Sequence, residues 1–303
     1  MTQEAISFPV LSGRDRLRAM LGVVVIGVLF VAVVSRLVLT PVDPLGCVST
    51  LSCRLGWWIL PVCAALAFVF ATLVSIISGA KLEEMGVFAV ALGLSLAVLR
   101  HESAAFLWTT QGQANDELRT VLGGLMAAEA LGWFAVISAA YAGTRWAVRA
   151  FDLKPLIDQD PAGEYRIGAL TVLFMLVVAM LALQVLSAGS ELAPIETGQV
   201  CFAVAASFYI ASFVAYKVTG AQSQVWAYLA VALVAVAGYA WTALNPTPEF
   251  PGRVIAHYAH FSPTAFGRAL PIQTVMVGTA AAVFGNWHQR QLTRFETTEG
   301  ANA

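Results

Sequence analysis

RTVLGGLMAAEALGWFAVISAAYAG, residues 119–143, is an apolar run with a single acid inside it, Glu129. As a helix rising 1.5 Å per residue it would be about 37 Å long, enough for the roughly 30 Å of hydrocarbon in a bilayer. A soluble helix of that length would show a polar stripe, and this one has none to show.

Seven further stretches read the same way, giving spans at 19–40, 57–78, 85–100, 119–143, 167–187, 197–218, 224–244 and 270–288. The third is short, and it can continue through Ala104, Ala105, Phe106, Leu107 and Trp108. The composition agrees: 59% of the 303 residues are hydrophobic, only 12% are charged, and the mean hydropathy is +0.76. Soluble domains carry about 25% charged residues, so this chain could not clothe a water-facing surface. A soluble enzyme, a nucleic-acid binder and a disordered regulator are excluded. The net charge of -1 likewise offers no basic field for nucleic acid.

Orientation follows from the basic residues. With the N-terminus inside, 11 of the 17 Lys and Arg fall on the inner side, among them Arg14, Arg18, Lys81, Arg145, Arg149, Lys217 and Arg290. Trp57, Trp58, Trp108 and Trp241 sit at outer span ends and Trp146, Trp226 and Trp287 at inner ends, the level indole prefers. Only Trp133 lies within a span. The first span is too long for a cleaved signal peptide and lacks a cleavage site after Arg36. The expected fold is an all-α integral membrane bundle of eight transmembrane helices, N-in and C-in. It forms one membrane domain over 1–303, with a short outer interfacial helix before the last span. The natural setting is a cell membrane, of the bacterial inner-membrane kind.

The first outer loop, PVDPLGCVSTLSCRLG, is bent by Pro41, Pro44 and Gly46. Its Cys47 and Cys53 are expected to close a small disulfide in an oxidising exterior. Cys63 and Cys201 lie within spans and read as small buried hydrophobes.

Glu129 is the first candidate site. If the fourth helix begins near Asp116, with Asn115 as its cap, Glu129 sits about 20 Å along it. A carboxylate in hydrocarbon is costly, so it faces either a partner or a water path. It is thus a proton or cation site, or a hydrogen-bonded packing residue. Gly124, Ala128 and Gly132 form a small-residue stripe beside it, which would permit close helix contact.

Two outer clusters are weaker candidates. Arg100, His101 and Glu102 gather at the outer end of the third span. In the last outer loop, a helix over 252–262 would align Arg253, His257 and His260, with Arg268 following. That helix reads as lying on the outer leaflet, its basic side toward an anionic group. A metal on His257 and His260, with His101 or Glu249, is the less specific alternative.

The chain has no P-loop, GxSxG, HExxH or CxxCH motif, and nothing in it specifies a cofactor. Three readings of function follow. The first is a non-catalytic membrane subunit or scaffold packed in the bilayer against other membrane subunits or itself. The second is a small secondary transporter using Glu129, with Trp133 and the 253–268 segment as gate. The third is an intramembrane enzyme with an outward site of Arg100, His101, His257, His260 and Arg268.

Overall fold

The structure, a computed structural model, describes residues 13–43, 46–79, 84–99, 101, 116–153, 164–186, 197–244, 266 and 269–301. Among the described residues it is all-helical, without strands. In chain order the helices are α1 (Gly13–Leu37), α2 (Gly56–Ser78), α3 (Glu84–Val98), α4 (Asp116–Ala150), α5 (Tyr165–Leu186), α6 (Thr197–Thr219), α7 (Val225–Leu244) and α8 (271–301).

Six of them, α1, α2, α4, α5, α6 and α7, are long and apolar enough to cross a membrane. The other two expected spans are helical but differ in kind. Within the described residues α3 has only 15 residues. The α8 helix is interrupted by polar Gln273, Asn286 and Gln289, and it reaches Arg290. Its first ten residues are all buried, so the start of α8 lies inside the bundle, while Phe284 further along is exposed.

The distribution of side chains is inverted relative to a soluble protein. Large apolar groups such as Leu17, Met20, Val24 and Val28 on α1, and Leu173, Val177, Leu181 and Val185 on α5, point outward. Small and hydroxylic residues fill the interior, including Ala67, Ala71, Ser75, Ala140, Thr144, Ser207 and Ala211. Contiguous exposed apolar faces of this size are stable only against hydrocarbon or another protein.

Helix directions alternate. Phe30 of α1 packs on Phe70 of α2, and Gly22 of α1 meets Ile77. Gly132 and Gly143 of α4 meet Leu60 and Phe68 of α2, so these two run parallel. Gly123 of α4 meets Ala243 of α7 at one end while Tyr141 meets Tyr228 at the other, an antiparallel pairing. In α8, Gly278 meets Phe208 and the Ala282 carbonyl accepts Ser212 Oγ at 2.7 Å, so α8 runs parallel to α6.

Helix contact is therefore made by Gly123, Gly132 and Gly143, and only one of these belongs to the expected small-residue stripe. Gly124 and Ala128 face outward. The tryptophans also divide. Trp57, Trp58, Trp146 and Trp241 are exposed, as a belt requires. Trp226 is instead buried against Gly168, and Trp287 packs at a tilt against Phe88. Trp108 lies outside the described residues, as does the expected interfacial helix at 252–262.

Candidate functional site

Leu60, near the start of α2, is level with Gly132 of α4, whereas α4 extends toward its N-terminus to the Gly123–Ala243 contact. Nine residues of helix separate these levels, so α4 and α7 overhang the start of α2 by roughly 13 Å. Residues 38–43 and 46–55, which link α1 to α2, fill the space under that overhang. Leu39, Cys47, Val48, Ser49 and Thr50 are all buried.

A short antiparallel pairing closes the loop. Val42 N–H donates to Ser52 O at 2.8 Å, Arg54 N–H donates to Thr40 O at 3.0 Å, and Pro41 bridges Cys53. Its tip is a tight turn in which Ser52 N–H and Cys53 N–H both donate to Ser49 O, and Ser52 Oγ donates to Cys47 O at 2.6 Å. Irregular backbone buried away from water needs its polar groups paired within the protein, and these bonds pair part of this segment's.

This turn delivers Ser49 and Thr50 to Glu129. Ser49 Oγ donates to Glu129 Oε2 at 2.5 Å and Thr50 Oγ1 donates to the same oxygen at 3.0 Å. Trp133 Nε1, one helical turn on, donates to Oε1 at 2.9 Å. Glu129 and Trp133 are both completely buried. Neighbouring α7 and α8 add a polar pair at the same level, where Tyr239 Oη donates to Ala269 O at 2.8 Å and lies 2.9 Å from Thr274 Oγ1. Thr274 belongs to a π-helical turn, Gln273–Val277, an irregularity frequent at functional positions. Gln273, fully buried there, accepts Leu270 N–H on its Oε1 at 2.8 Å.

The expected Cys47–Cys53 disulfide is not formed: both cysteines are free and buried. Cys47 Sγ turns toward Ser52 Oγ, 3.5 Å away, and Cys53 is fixed by its backbone to the 40–42 segment. Burial pushes the Cys47 thiol up to about 12, with the Ser52 hydrogen bond opposing, and the Cys53 thiol up to about 11. At pH 8 the reactive thiolate is then about 10⁻⁴ of Cys47 and about 10⁻³ of Cys53. N-ethylmaleimide at pH 8 is expected to leave both unmodified in the folded chain and to label both after denaturation, read by peptide mass spectrometry. Rapid labelling of the folded protein would contradict a buried loop. Stability is expected to fall above pH 9, where the unfolded thiols ionise and the folded ones do not, until the folded values are reached.

The other candidates are not brought to Glu129 by the described residues. His101 lies three residues past the end of α3, and its carbonyl accepts Thr197 Oγ1 at 2.9 Å, at the start of α6. Arg100, Arg253, His257, His260 and Arg268 lie outside the described residues. Sequence reading missed Ser49 and Thr50, although the uncharged run GCVSTLSC, 46–53, is unusual for a solvated loop. It also missed a polar cluster at the opposite end of the bundle. There Arg290 Nη1 donates to Glu84 Oε1 at 2.8 Å, and Glu164 accepts Gln222 N–H and Ser223 N–H. Gly220, at φ +69°, ends α6 and turns that segment inward.

An all-helical chain with six apolar helices and a carboxyl sealed among them suggests a multi-pass membrane protein. No protein-family model matches the chain, and comparison with curated proteins and with solved structures finds no match.

Proposed function

We propose that the chain is a small secondary transporter in which Glu129 is the proton or cation site and the 38–55 loop is its outer lid. The observation that carries this reading is that Glu129 Oε2 accepts the hydroxyls of both Ser49 and Thr50. An ionised carboxyl only accepts hydrogen bonds, whereas a protonated one must also donate. Proton arrival at Oε2 therefore weakens the docking of the loop, and by reciprocity loop release favours the proton. A cation at the carboxylate would compete with the same two hydroxyls.

The test is proton movement into proteoliposomes containing a pH-sensitive dye, driven by an imposed potassium diffusion potential. Glu129→Gln is expected to fold and to abolish the movement. Uptake unchanged in that variant would defeat the reading.

The sequence alone ranks a non-catalytic scaffold first, and one observation favours it as the second reading. Both Glu129 oxygens have partners within the chain, which a packing residue requires. A native particle holding stoichiometric foreign subunits, with Glu129→Gln silent in flux, is the result that reading expects.

Eight crossings, N-in and C-in, in a bacterial inner membrane complete the proposal. The helix directions support it, since α2 runs parallel to α4 and α8 parallel to α6, as alternating passes require. Cysteine-accessibility mapping of the inter-helix loops from each side would check the orientation.

A further inference from the structure

Asn286 of α8 is fully buried, and neither its Oδ1 nor its Nδ2 has a hydrogen-bond partner among the described residues. The adjacent Trp287 Nε1 is also buried and unpartnered. An amide unbonded at both ends is strongly unfavourable in a dry interior, so it calls for a polar occupant.

The surroundings narrow the occupant. Asn286 and Arg290 are four residues apart on α8 and share a face, and Trp287 and Arg290 are three apart. Across from them, Glu84 of α3 takes the ion pair with Arg290 at 2.8 Å, and Phe88, one turn on, packs at a tilt against Trp287 with ring centroids 4.9 Å apart. Arg290 Nη2 also donates to the Gln222 carbonyl. Glu164 lies close by, with its carboxylate taken up by the Gln222 and Ser223 N–H groups, and the face beside Asn286 holds Glu84, Arg290, an amide offering both a donor and an acceptor, and an indole donor.

A lone anion or cation would leave this balanced face with net buried charge. A small zwitterion offers each member of the pair a counter-charge, its carboxylate to Arg290 and its ammonium to Glu84. Asn286 and Trp287 then bond the carboxylate and ammonium groups. We propose that Asn286, Trp287, Arg290 and Glu84 form a binding site for a small zwitterionic solute of the amino-acid type, at the opposite end of the bundle from the 38–55 loop. The site is separate from Glu129, since Asn286 lies roughly 20 Å along α8 from Gln273 in the Glu129 layer.

The test uses the full chain in detergent and reads the shift of its unfolding midpoint with glycine and glutamine, against ethylamine and acetate as single-charge controls. Both zwitterions are expected to raise the midpoint and the controls to leave it unchanged. Asn286→Leu removes the unbonded amide, so it should fold and lose the shift. Asn286→Ala reads the same loss if leucine is not accommodated. Glu84→Gln should weaken glycine binding at least tenfold. Overturning results are no shift with either zwitterion, as a merely water-filled pocket would give, an equal response to acetate or ethylamine, or an undiminished shift in the Asn286 variants. Glu129→Gln should keep the shift, so failure here and failure of the transport reading are told apart.

Discussion

Glu129→Ala is expected to cost about 3–5 kcal/mol of stability, since each buried donor left without an acceptor costs roughly 1–3 kcal/mol. The variant leaves three buried donors without an acceptor: Ser49 Oγ, Thr50 Oγ1 and Trp133 Nε1. Two of these belong to the 38–55 loop, so the loop should come loose before the helices separate. Protection of the 46–53 amides against hydrogen exchange would then be lost at temperatures where the bundle is intact. Glu129→Gln is expected to be milder, at about 1–2 kcal/mol, because its carbonyl oxygen still accepts the loop hydroxyls while its amide faces the indole donor. Thermal unfolding in one detergent ranks the variants as wild type, Gln, then Ala. Equal midpoints for Ala and wild type would mean that the loop is held by something other than Glu129.

The second large effect is steric. α2 and α4 form the most extensive helix pairing, and at its centre Gly143 lies directly against the backbone of Phe68. A Cβ on Gly143 would overlap the Phe68 carbonyl oxygen and approach Thr72 Oγ1 to 3.0 Å. Neither can move cheaply, because Thr72 Oγ1 is itself bonded to Phe68 O at 2.8 Å and to Gly143 O at 3.1 Å. Gly143→Ala is therefore expected to cost about 2–3 kcal/mol as an overpacked contact. Gly124→Ala, where nothing lies within 4 Å, is the control. It should be neutral, or stabilising by up to about 1 kcal/mol through helix propensity. The two midpoints measured together separate a packing effect from a general glycine effect.

The buried carboxyl and its neighbours divide between what sequence could and could not reveal. Glu129 stood out because an acid in an apolar run is conspicuous whatever the tertiary fold. Trp133 was visible as a residue one turn away, but the direction of its indole was not. Ser49 and Thr50 are about 80 residues distant in sequence, and no local pattern links them to α4. The Cys47–Cys53 pair invited a disulfide by spacing alone, yet the thiols are separated by a turn whose geometry serves Glu129.

The last helix shows the same division. Its apolar stretch at 270–288 read as one more lipid-facing span, and Trp287 as a belt residue. Its packing in the bundle instead turns Gln273, Asn286 and Trp287 inward, and joins Arg290 to Glu84.

By itself the sequence determined that this protein is helical and apolar, because length and hydropathy act residue by residue and require no partner. Only the tertiary structure decided which helix start is buried in the bundle, that the segment between α1 and α2 folds in among the helices, and which polar groups meet. Those outcomes depend on close approach between segments far apart in the chain. They are set by where small residues such as Gly132 and Gly143 let backbones touch, and by where a buried acceptor such as Glu129 demands its donors.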